Sequence, residues 1–276
     1  MELIRYEDTK GEFNYIKRLD IQLEEEDFFL HNHNDSYEIL IFISGNSEFR
    51  VEGSVYDMKP YDIVIVRSSE MHKMWHRQPF EKYERIVISI RDSFFIRNEC
   101  EDMRSIFTAH DLGVNNLFCA EDVRNNSIPE LLMDIEEYIY GGGIRPDTAI
   151  RSKIIDLIYK LSRISAGTEA ERPHSEHIKS ILKYINDNIT SNMSLDDIAV
   201  RFYMSKYHLC HIFKQHTGLS VTKYINRKRL LLVRELYSDG KSLIDASEEA
   251  GFGNYSSFYK MYVKEYSQSP RNMKKR

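Results

Sequence analysis

Apolar and polar residues are arranged in different ways along the chain, and each pattern predicts a different kind of structure. In residues 1–95, apolar-rich runs of strand length recur, separated by turn residues such as Ser44-Gly45-Asn46 and Glu52-Gly53. Short strands at this regular spacing favour a small antiparallel barrel or sandwich over alternating strands and helices. The predicted strands are Ile16–Leu23, Phe28–His33, Tyr37–Ser44, Ser47–Glu52, Ser54–Lys59, Asp62–Arg67 and Lys82–Ile90.

From about Asp92 the apolar residues recur with the period of a helix. One predicted helix ends at Gly141-Gly142-Gly143 and has the apolar stripe Ile128, Leu131, Leu132, Ile135 and Ile139. The next begins near Thr148 and has the stripe Ile150, Ile154, Leu157, Ile158 and Leu161. Because an amphipathic helix must bury its apolar face, these helices pack either on the β-structure or against a second copy of the chain. Both alternatives stay open.

The stretch 194–270 contains two copies of one pattern, related by an offset of 49 residues. At this offset Ser205 corresponds to Asn254, and Gly218 corresponds to Ser267. Each copy has the pattern of a short helix, a tight turn and a second helix opened by a capping residue. A long predicted helix joins the copies. Two such helix-turn-helix units could place two helices in successive major grooves of DNA.

The charge of the chain is unevenly distributed. Residues 177–276 contain 17 Lys and Arg against 9 Asp and Glu, whereas residues 1–176 contain 21 against 34. A basic C-terminal third favours binding of a polyanion through that end of the chain. The acidic remainder would be repelled by DNA and is better suited to sensing or assembly.

A recognition helix needs one side pinned to a core and the other side open to bases and phosphates. The candidate residues on the open sides are Lys206, Tyr207, Cys210, His211, Tyr255, Ser256, Tyr259 and Lys260, with Lys214 and Lys264 better placed for phosphates. A merely solvated polar face is the alternative. Two capped units at a fixed offset in a basic segment favour DNA binding.

Residues 177–276 resemble the C-terminal DNA-binding domain of AraC/XylS-type bacterial transcription regulators. The residues that carry the resemblance are Ser194-Leu-Asp-Asp-Ile-Ala199, Met204-Ser-Lys-Tyr-His-Leu209, Phe213-Lys214 with Gly218, and Gly251-Phe252 with Ser257-Phe258 and Ser269-Pro270. In that family both recognition helices enter adjacent major grooves on one face of DNA. Carried over by position, the resemblance implies the groove-facing set Tyr207, Cys210, His211, Tyr255, Ser256 and Lys260.

The second copy departs from the family pattern. Ala246-Ser247, Tyr262-Val263 and Ser267 stand where the family usually has Ile-Ala, Phe-Lys and Gly. Cys210, in the first copy, replaces what is often a longer polar residue. Because Val263 removes a phosphate-binding lysine, we expect the first recognition helix to carry more of the specificity and the second to contribute more to positioning.

The N-terminal part resembles the cupin-like sensor domain of the same family. The residues that carry this resemblance are His31-Asn-His33, Glu38, Gly45, Lys59-Pro60-Tyr61-Asp62 and His72. Two imidazoles, a carboxylate and a third His suit a divalent metal. The same four side chains, His31, His33, Glu38 and His72, could instead line an effector pocket or serve as hydrogen-bonded structural groups. Most relatives with this signature hold a small molecule there.

The resulting prediction is a two-domain α+β protein that regulates transcription and is not an enzyme. An antiparallel, jelly-roll-type barrel with following helices precedes an all-α domain of two helix-turn-helix units joined by a long helix. The predicted segments are the barrel at 1–95, helices for support or dimerisation at 96–166, a linker at 167–176, and the DNA-binding domain at 177–276, with units at about 194–218 and 242–267.

The predicted partners are double-stranded promoter DNA, a small-molecule effector such as a sugar, a second copy of the chain and, for an activator, RNA polymerase. No cofactor is expected beyond the alternative metal in the barrel. The alternatives in function are a metal-dependent cupin enzyme fused to a DNA-binding domain and a regulator with an empty barrel. A charged N-terminus, no membrane-length apolar run and three widely spaced cysteines favour the cytoplasm.

Overall fold

The computed structural model describes residues 2–21, 36–77, 82–141, 146–164, 172–173 and 176–273. The chain divides into two compact units, Met1–Pro173 and His174–Arg276. The first is rich in antiparallel strands and the second is helical, as the sequence predicts. No helix within the described ranges combines the length and the apolar composition that crossing a bilayer requires.

The first unit contains two antiparallel sheets. Its strands are β1 (Glu2–Glu7), β2 (Phe13–Asp20), β3 (Ser36–Ser44), β4 (Ser47–Val51), β5 (Ser54–Asp57), β6 (Ile63–Val66), β7 (His72–His76), β8 (Tyr83–Arg91), β9 (Leu117–Phe118) and β10 (Arg172–Pro173). The order is β1-β2-β8-β3-β6-β9 in one sheet and β10-β5-β4-β7 in the other.

The strands β3 and β6 of the six-stranded sheet are buried on both faces, which explains their continuous apolar runs. On β3, Leu40 and Phe42 share a core with residues of the four-stranded sheet, such as Phe49. The alternate residues Ile39 and Ile41 belong to a second core with the helices. Successive side chains of a strand point to opposite faces, so one run serves both cores. The unit therefore has three layers: four-stranded sheet, six-stranded sheet and helices.

Four strands of the first unit were not predicted. β7 was not predicted because its inward positions are mostly polar; they are His72, Met74 and His76. β1 is rich in charged residues, and β9 and β10 have only two residues each. The predicted strand Phe28–His33 lies outside the described residues. The missed strands lack the apolar alternation on which strand prediction depends.

The helices that follow the strands pack on the six-stranded sheet. They are α1 (Asp92–Arg97), α2 (Ser105–Thr108), α3 (Ala120–Asn125), α4 (Ile128–Tyr140) and α5 (Asp147–Arg163). The predicted stripes of α4 and α5 are buried in the same core as Ile39 and Ile88, apart from the partly buried Ile139. Packing on the β-structure therefore accounts for both stripes, and pairing with a second copy stays a prediction.

A buried ion cluster attaches α5 to the β1–β2 hairpin. The Arg151 guanidinium lies 2.8 Å from an Asp8 carboxylate oxygen and 2.5 Å from a Glu12 oxygen. It also lies 5.4 Å from the ring centres of Phe13 and Phe94. Both carboxylates are almost completely buried, so each depends on its cationic partner for compensation. This cluster fixes the helical layer on the sheet.

The described part of the second unit, residues 176–273, contains six helices and a final 3₁₀ turn. They are α6 (Glu176–Asp187), α7 (Leu195–Arg201), α8 (Lys206–Thr217), α9 (Val221–Ser238), α10 (Leu243–Glu249), α11 (Tyr255–Tyr266) and the turn Pro270–Asn272. A side-chain cap opens five of the helices and the 3₁₀ turn, the N-cap residues being Ser194, Ser205, Ser220, Ser242, Asn254 and Ser269. Each cap satisfies a backbone N–H that the helix leaves without an internal acceptor.

The two helix-turn-helix copies differ by one residue in their turns. The recognition helices α8 and α11 correspond at an offset of 49, but α7 and α10 correspond at 48. In the first turn the Met204 N–H donates to the Ala199 carbonyl, and Phe252 makes the same bond to Ser247. Ser205 follows Met204 directly, whereas Gly253 separates Phe252 from Asn254. The single offset of 49 is therefore correct for the recognition helices and wrong for the helices before them.

Candidate nucleic-acid interface and barrel interior

One side of α8 is fixed to the core of the second unit. Leu209 and Phe213 are completely buried, and the Phe213 ring meets Tyr224 of α9 edge-on at 5.5 Å. Ser205 caps the first turn, and Gly218, at φ +77°, ends the helix. A left-handed C-cap of this kind favours glycine. The helix is thus held at both ends and along its inner side.

The other side of α8 presents the predicted groove-facing residues. Tyr207 is 82% exposed, and its ring lies parallel to the His211 ring at 6.3 Å. Lys206 is exposed and forms an ion pair of 2.9 Å with Asp196 of α7. Lys214 is exposed and Cys210 is half-buried. The five candidates of the first copy therefore lie on one accessible side, with Cys210 at its edge.

The second recognition helix, α11, is fixed in the same way by aromatic residues. Phe258 and Tyr262 are buried, and the Phe258 ring contacts Phe252 of the turn at 5.6 Å. Ser267 takes the left-handed C-cap at φ +54° that Gly218 takes in the first copy. A residue with a Cβ there costs about 1–2 kcal/mol, so Ser267 retains the helix end at some cost in stability.

The candidates on α11 are not equally accessible. Ser256, Tyr259 and Lys260 are exposed. Tyr255 is half-buried because its ring packs against Phe258 at 5.6 Å and Tyr259 at 6.3 Å. Ser256 and Lys260 thus offer polar groups to a ligand, while Tyr255 is partly committed to the core.

The loop after α6 connects the two helix-turn-helix copies. Arg229 of α9 donates to the carbonyl oxygens of Ile189 (2.9 Å) and Ser191 (2.7 Å). Between them, the backbone of Thr190 faces Gly251 of the second turn, where a Cβ would lie 2.6 Å from the Thr190 oxygen. This connection is long-range packing, and the sequence offered only the Gly251-Phe252-Gly253 turn as a sign of it.

An ion pair also links the joining helix to α11. Arg227 of α9 lies 2.5 Å from a carboxylate oxygen of Glu265, and both side chains are mostly buried. Since Phe213 of α8 packs against Tyr224 of the same helix α9, α8 and α11 are both held on α9 within one unit. Two recognition helices held in this way can bind two sites only at a fixed spacing.

The interior of the first unit contains two of the four predicted barrel residues. Glu38 and His72 are almost completely buried, with 3.9 Å between Oε1 of Glu38 and Nε2 of His72. The His72 Nδ1 lies 2.9 Å from the Glu70 carbonyl. Since a carbonyl can only accept, Nδ1 carries the proton and Nε2 faces Glu38. His31 and His33 lie outside the described residues.

Further polar side chains lie in the same interior. Nδ1 of His76 lies 2.6 Å from the Ser47 hydroxyl, and its ring lies 4.5 Å from Tyr83. Burial, together with the nearby charge of Arg85, lowers the pKa of His76 to about 4. Burial also raises the pKa of the Tyr83 phenol. At neutral pH both groups are therefore uncharged.

Trp75 and Tyr37, which are close to His72 and Glu38 in the sequence, do not share this interior. Trp75 is 43% exposed on the opposite face of β7, with Arg50 at 4.2 Å and Lys73 at 4.7 Å from its ring. Tyr37 packs among the helices, 5.5 Å from Phe95 and 4.8 Å from Phe107. Neither ring lies among the interior residues Glu38, His72 and His76.

A separate cleft opens beside β5, β9 and α3. Its volume is about 440 Å³, and its lining includes Tyr56, Leu117, Lys59 and Arg124. Asp62, which also lines the cleft, has a structural role. Its carboxylate accepts hydrogen bonds from the backbone N–H groups of Lys59 at 2.7 Å and Ala120 at 2.8 Å. A cleft of this size can hold a small molecule, and no motif in the sequence indicated it.

The metal alternative rests on the predicted four-residue set. Across the ranges that the structure describes, no group of three His, Cys, Asp or Glu side chains is arranged to hold a metal ion. Glu38 and His72 alone give two of the four or more ligands that a divalent metal takes. Because His31 and His33 lie outside the described residues, the metal alternative stays a prediction.

Two family models match the chain. Residues 15–99 match an AraC-like ligand binding domain, and residues 198–276 match a helix-turn-helix domain. The chain is 24% identical over 260 residues to the transcriptional activator RhaS of Klebsiella pneumoniae, covering 89% of this chain and 87% of RhaS. It is 30% identical over 112 residues to the regulatory protein PocR of Salmonella typhimurium, which spans 40% of this chain and 37% of PocR.

Among solved structures, ToxT of Vibrio cholerae is 16% identical, covers 94% of this chain and 96% of its own, and has a TM-score of 0.38. The matches to the family models and to RhaS follow the order of the two units along the chain. The chain therefore belongs to the AraC/XylS family of transcription regulators, with an AraC-like ligand-binding domain ahead of a helix-turn-helix DNA-binding domain.

Proposed function

We propose that the chain is a sequence-specific regulator whose recognition helices bind two adjacent half-sites of promoter DNA. The observation that carries this is the pairing of α8 and α11: each is capped, pinned by buried Phe213 or Phe258, and open on its other side. Links through Arg229 and Gly251 fix both helices in one unit. Half-sites about 10 bp apart would present successive major grooves to them.

In this proposal the exposed side chains have separate roles. Tyr207, His211 and Ser256 lie where they can reach base edges, and each good base contact contributes on the order of 1–3 kcal/mol of discrimination. Lys206, Lys214 and Lys260 attract the phosphates. Lys206 must exchange Asp196 for a phosphate, so its contribution depends on breaking an exposed ion pair that is itself weak.

Lys260→Ala tests the DNA-binding half of the proposal. If Lys260 contacts a phosphate, the variant binds a selected duplex more weakly on all sequences, and the salt slope of log K falls by about one. If it contacts a base, the sequence preference changes instead. The matched control is Lys183→Ala on α6, whose exposed lysine pairs with Asp187. Equal behaviour of both variants and the wild type would remove Lys260 from the interface.

For the ligand-binding unit, we propose that the interior around Glu38, His72, His76 and Tyr83 holds a small polar effector. The neutral His76 and Tyr83 offer hydrogen bonds without charge, which suits a hydroxyl-rich molecule such as a sugar, while Glu38 can accept from its hydroxyls. The effector changes DNA binding only by its differential affinity for the two states of the regulator.

In a homodimer, the exposed Met133, Tyr140 and Tyr159 of α4 and α5 are available for contact. An activator would also contact RNA polymerase.

A metabolite panel tests the effector site. The chain has one tryptophan, Trp75, in the first unit, so its emission reports the melting of that unit. An effector present at 100 times its Kd stabilises the unit by about 2.7 kcal/mol. We expect Glu38→Gln and His72→Gln to abolish the shift, and Glu137→Gln, an exposed carboxylate on α4, to retain it. A panel that shifts nothing would favour regulation with an empty interior.

A further inference from the structure

The two recognition helices carry their lysines on different stripes. On α8, Lys206, Cys210 and Lys214 lie four residues apart and so form one stripe. The residues of α11 at the corresponding positions are Tyr255, Tyr259 and Val263. A stripe with two cations in the first copy is therefore aromatic and apolar in the second.

The neighbouring stripe of α11 carries the cations instead. Lys260 and Lys264 are exposed and four residues apart, one position on from Tyr259 and Val263. One residue corresponds to about 100° around a helix. A helix whose Lys260 and Lys264 approach one phosphate strand therefore turns Tyr259 and Val263 about a quarter of a turn away from it.

The apolar stripe is accessible and is continued by α10. Tyr259 is 39% exposed and Val263 is 36% exposed. Ile244 of α10 is 54% exposed and occupies the position that Asp196 has in the first copy. The first copy therefore has a polar pair, Asp196 with Lys206, where the second has Ile244 and Tyr255. Adjacent exposed apolar side chains on a recognition helix suggest a partner with an apolar surface.

The major groove offers one prominent apolar group, the C5 methyl of thymine. Phosphates and the edges of G, C and A present charges or hydrogen-bonding groups, which Val263 cannot satisfy. Building on the proposed function, we propose that Tyr259 and Val263 recognise thymine methyl groups in the half-site bound by α11. The second recognition helix thus contributes sequence preference of its own, by methyl contact rather than by hydrogen bonds.

Deoxyuridine provides the test, because it differs from thymidine only in lacking that methyl. The full chain first selects a preferred duplex from a random pool. Each thymidine is then replaced singly by deoxyuridine, and Kd is measured by fluorescence anisotropy at fixed salt. Burying one methyl-sized group is worth about three- to fivefold in Kd. We expect that loss at one or two positions within one half-site for the wild type.

Variants of α11 assign the methyl contact to its residues. In Val263→Ala or Tyr259→Ala, the loss of affinity on deoxyuridine substitution should fall below about 1.5-fold at the same DNA positions, because the protein side of the methyl contact is already absent. Lys264→Gln, the control on the neighbouring stripe, should retain the full loss. Both side chains are exposed, so both variants should fold. Circular dichroism at 222 nm checks this.

Three results would overturn the inference. The wild type binds every deoxyuridine-substituted duplex as tightly as the original, or the selected half-site contains no thymine. The third result is that both α11 variants lose as much affinity on deoxyuridine substitution as the wild type does. In each case the preferred duplex still exists, so the proposed function stands. A pool that yields no preferred duplex would instead refute the proposed function, and this inference with it.

Discussion

Gly251→Ala should lower the melting temperature of the second unit by about 10–20 °C, while Gly253→Ala, two residues away, should leave it almost unchanged. Two costs add at Gly251. Its φ of +88° is a conformation that costs an L-residue about 1–2 kcal/mol. Its Cβ would also lie 2.6 Å from the Thr190 oxygen and 3.0 Å from two further backbone atoms of Thr190. Backbone cannot move aside as a flexible side chain can.

The expected magnitude follows from the size of the unit. Strain and displacement together cost about 2–4 kcal/mol, which is a large share of the roughly 5–15 kcal/mol that stabilises a domain. For a domain of about 100 residues, each kcal/mol shifts the melting temperature by about 4–8 °C. Gly253 has no atom within 4 Å of its Cβ position, so its substitution should change stability by about 0.5 kcal/mol at most.

Two signals separate the units in this experiment. Circular dichroism at 222 nm follows the helices of both units, and Trp75 emission follows the first unit alone. In Gly251→Ala we expect the part of the 222 nm transition that Trp75 emission does not share to move to lower temperature, while Trp75 emission stays at the wild-type temperature. Equal melting of the two glycine variants would show that the loop at Thr190 does not pack against the second turn. The fixed spacing of α8 and α11 would then lose one of its supports.

Local chemistry made much of the second unit predictable from sequence. The capping residues Ser194, Ser205 and Asn254 were identified from their types and positions, and each opens its helix as expected. The buried anchors Leu209, Phe213 and Phe258 followed from helical spacing. These features depend on residues within one or two turns of each other, so a single sequence contains the necessary information.

Long-range packing was not predictable in the same way. Nothing near Gly251 in the sequence indicates Thr190, and nothing near Arg229 indicates the carbonyl oxygens of Ile189 and Ser191. Gly253 was recognised as a turn residue, but the sequence comparison missed that it makes the second turn one residue longer, because the offset of 49 aligns only the recognition helices. Contacts of this kind appear only when the chain is folded.

The interior of the first unit illustrates a second limit. β7 turns His72 and His76 inward, and strand prediction expects apolar residues at such positions. Glu38 and His72 were nominated through the family resemblance, whereas the contacts of His76 with Ser47 and Tyr83 required the fold. Polar interiors break the local pattern where a ligand is to be bound, so the sequence predicted the site less completely than the sheet around it.

The spacing of the half-sites has the largest expected effect on DNA binding. Because Arg229, Gly251 and the Arg227–Glu265 pair hold α8 and α11 in one unit, the helices reach only half-sites at one separation. Inserting 5 bp turns the second half-site by about half a turn and moves it about 17 Å along the axis. The contacts of one helix are then lost. At about 1–3 kcal/mol for each base contact, losing two weakens binding on the order of 10²-fold.

The most direct test of the account is therefore the affinity of the full chain for its selected duplex with 0, 5 and 10 bp inserted between the half-sites. Both insertions should reduce the affinity to that of a duplex with one half-site scrambled, since a rigid unit follows neither the rotation nor the added length. Tolerance of the 5 bp insertion within about twofold, or recovery with 10 bp, would contradict the account. Either result would mean that separate, flexibly joined units read the two half-sites.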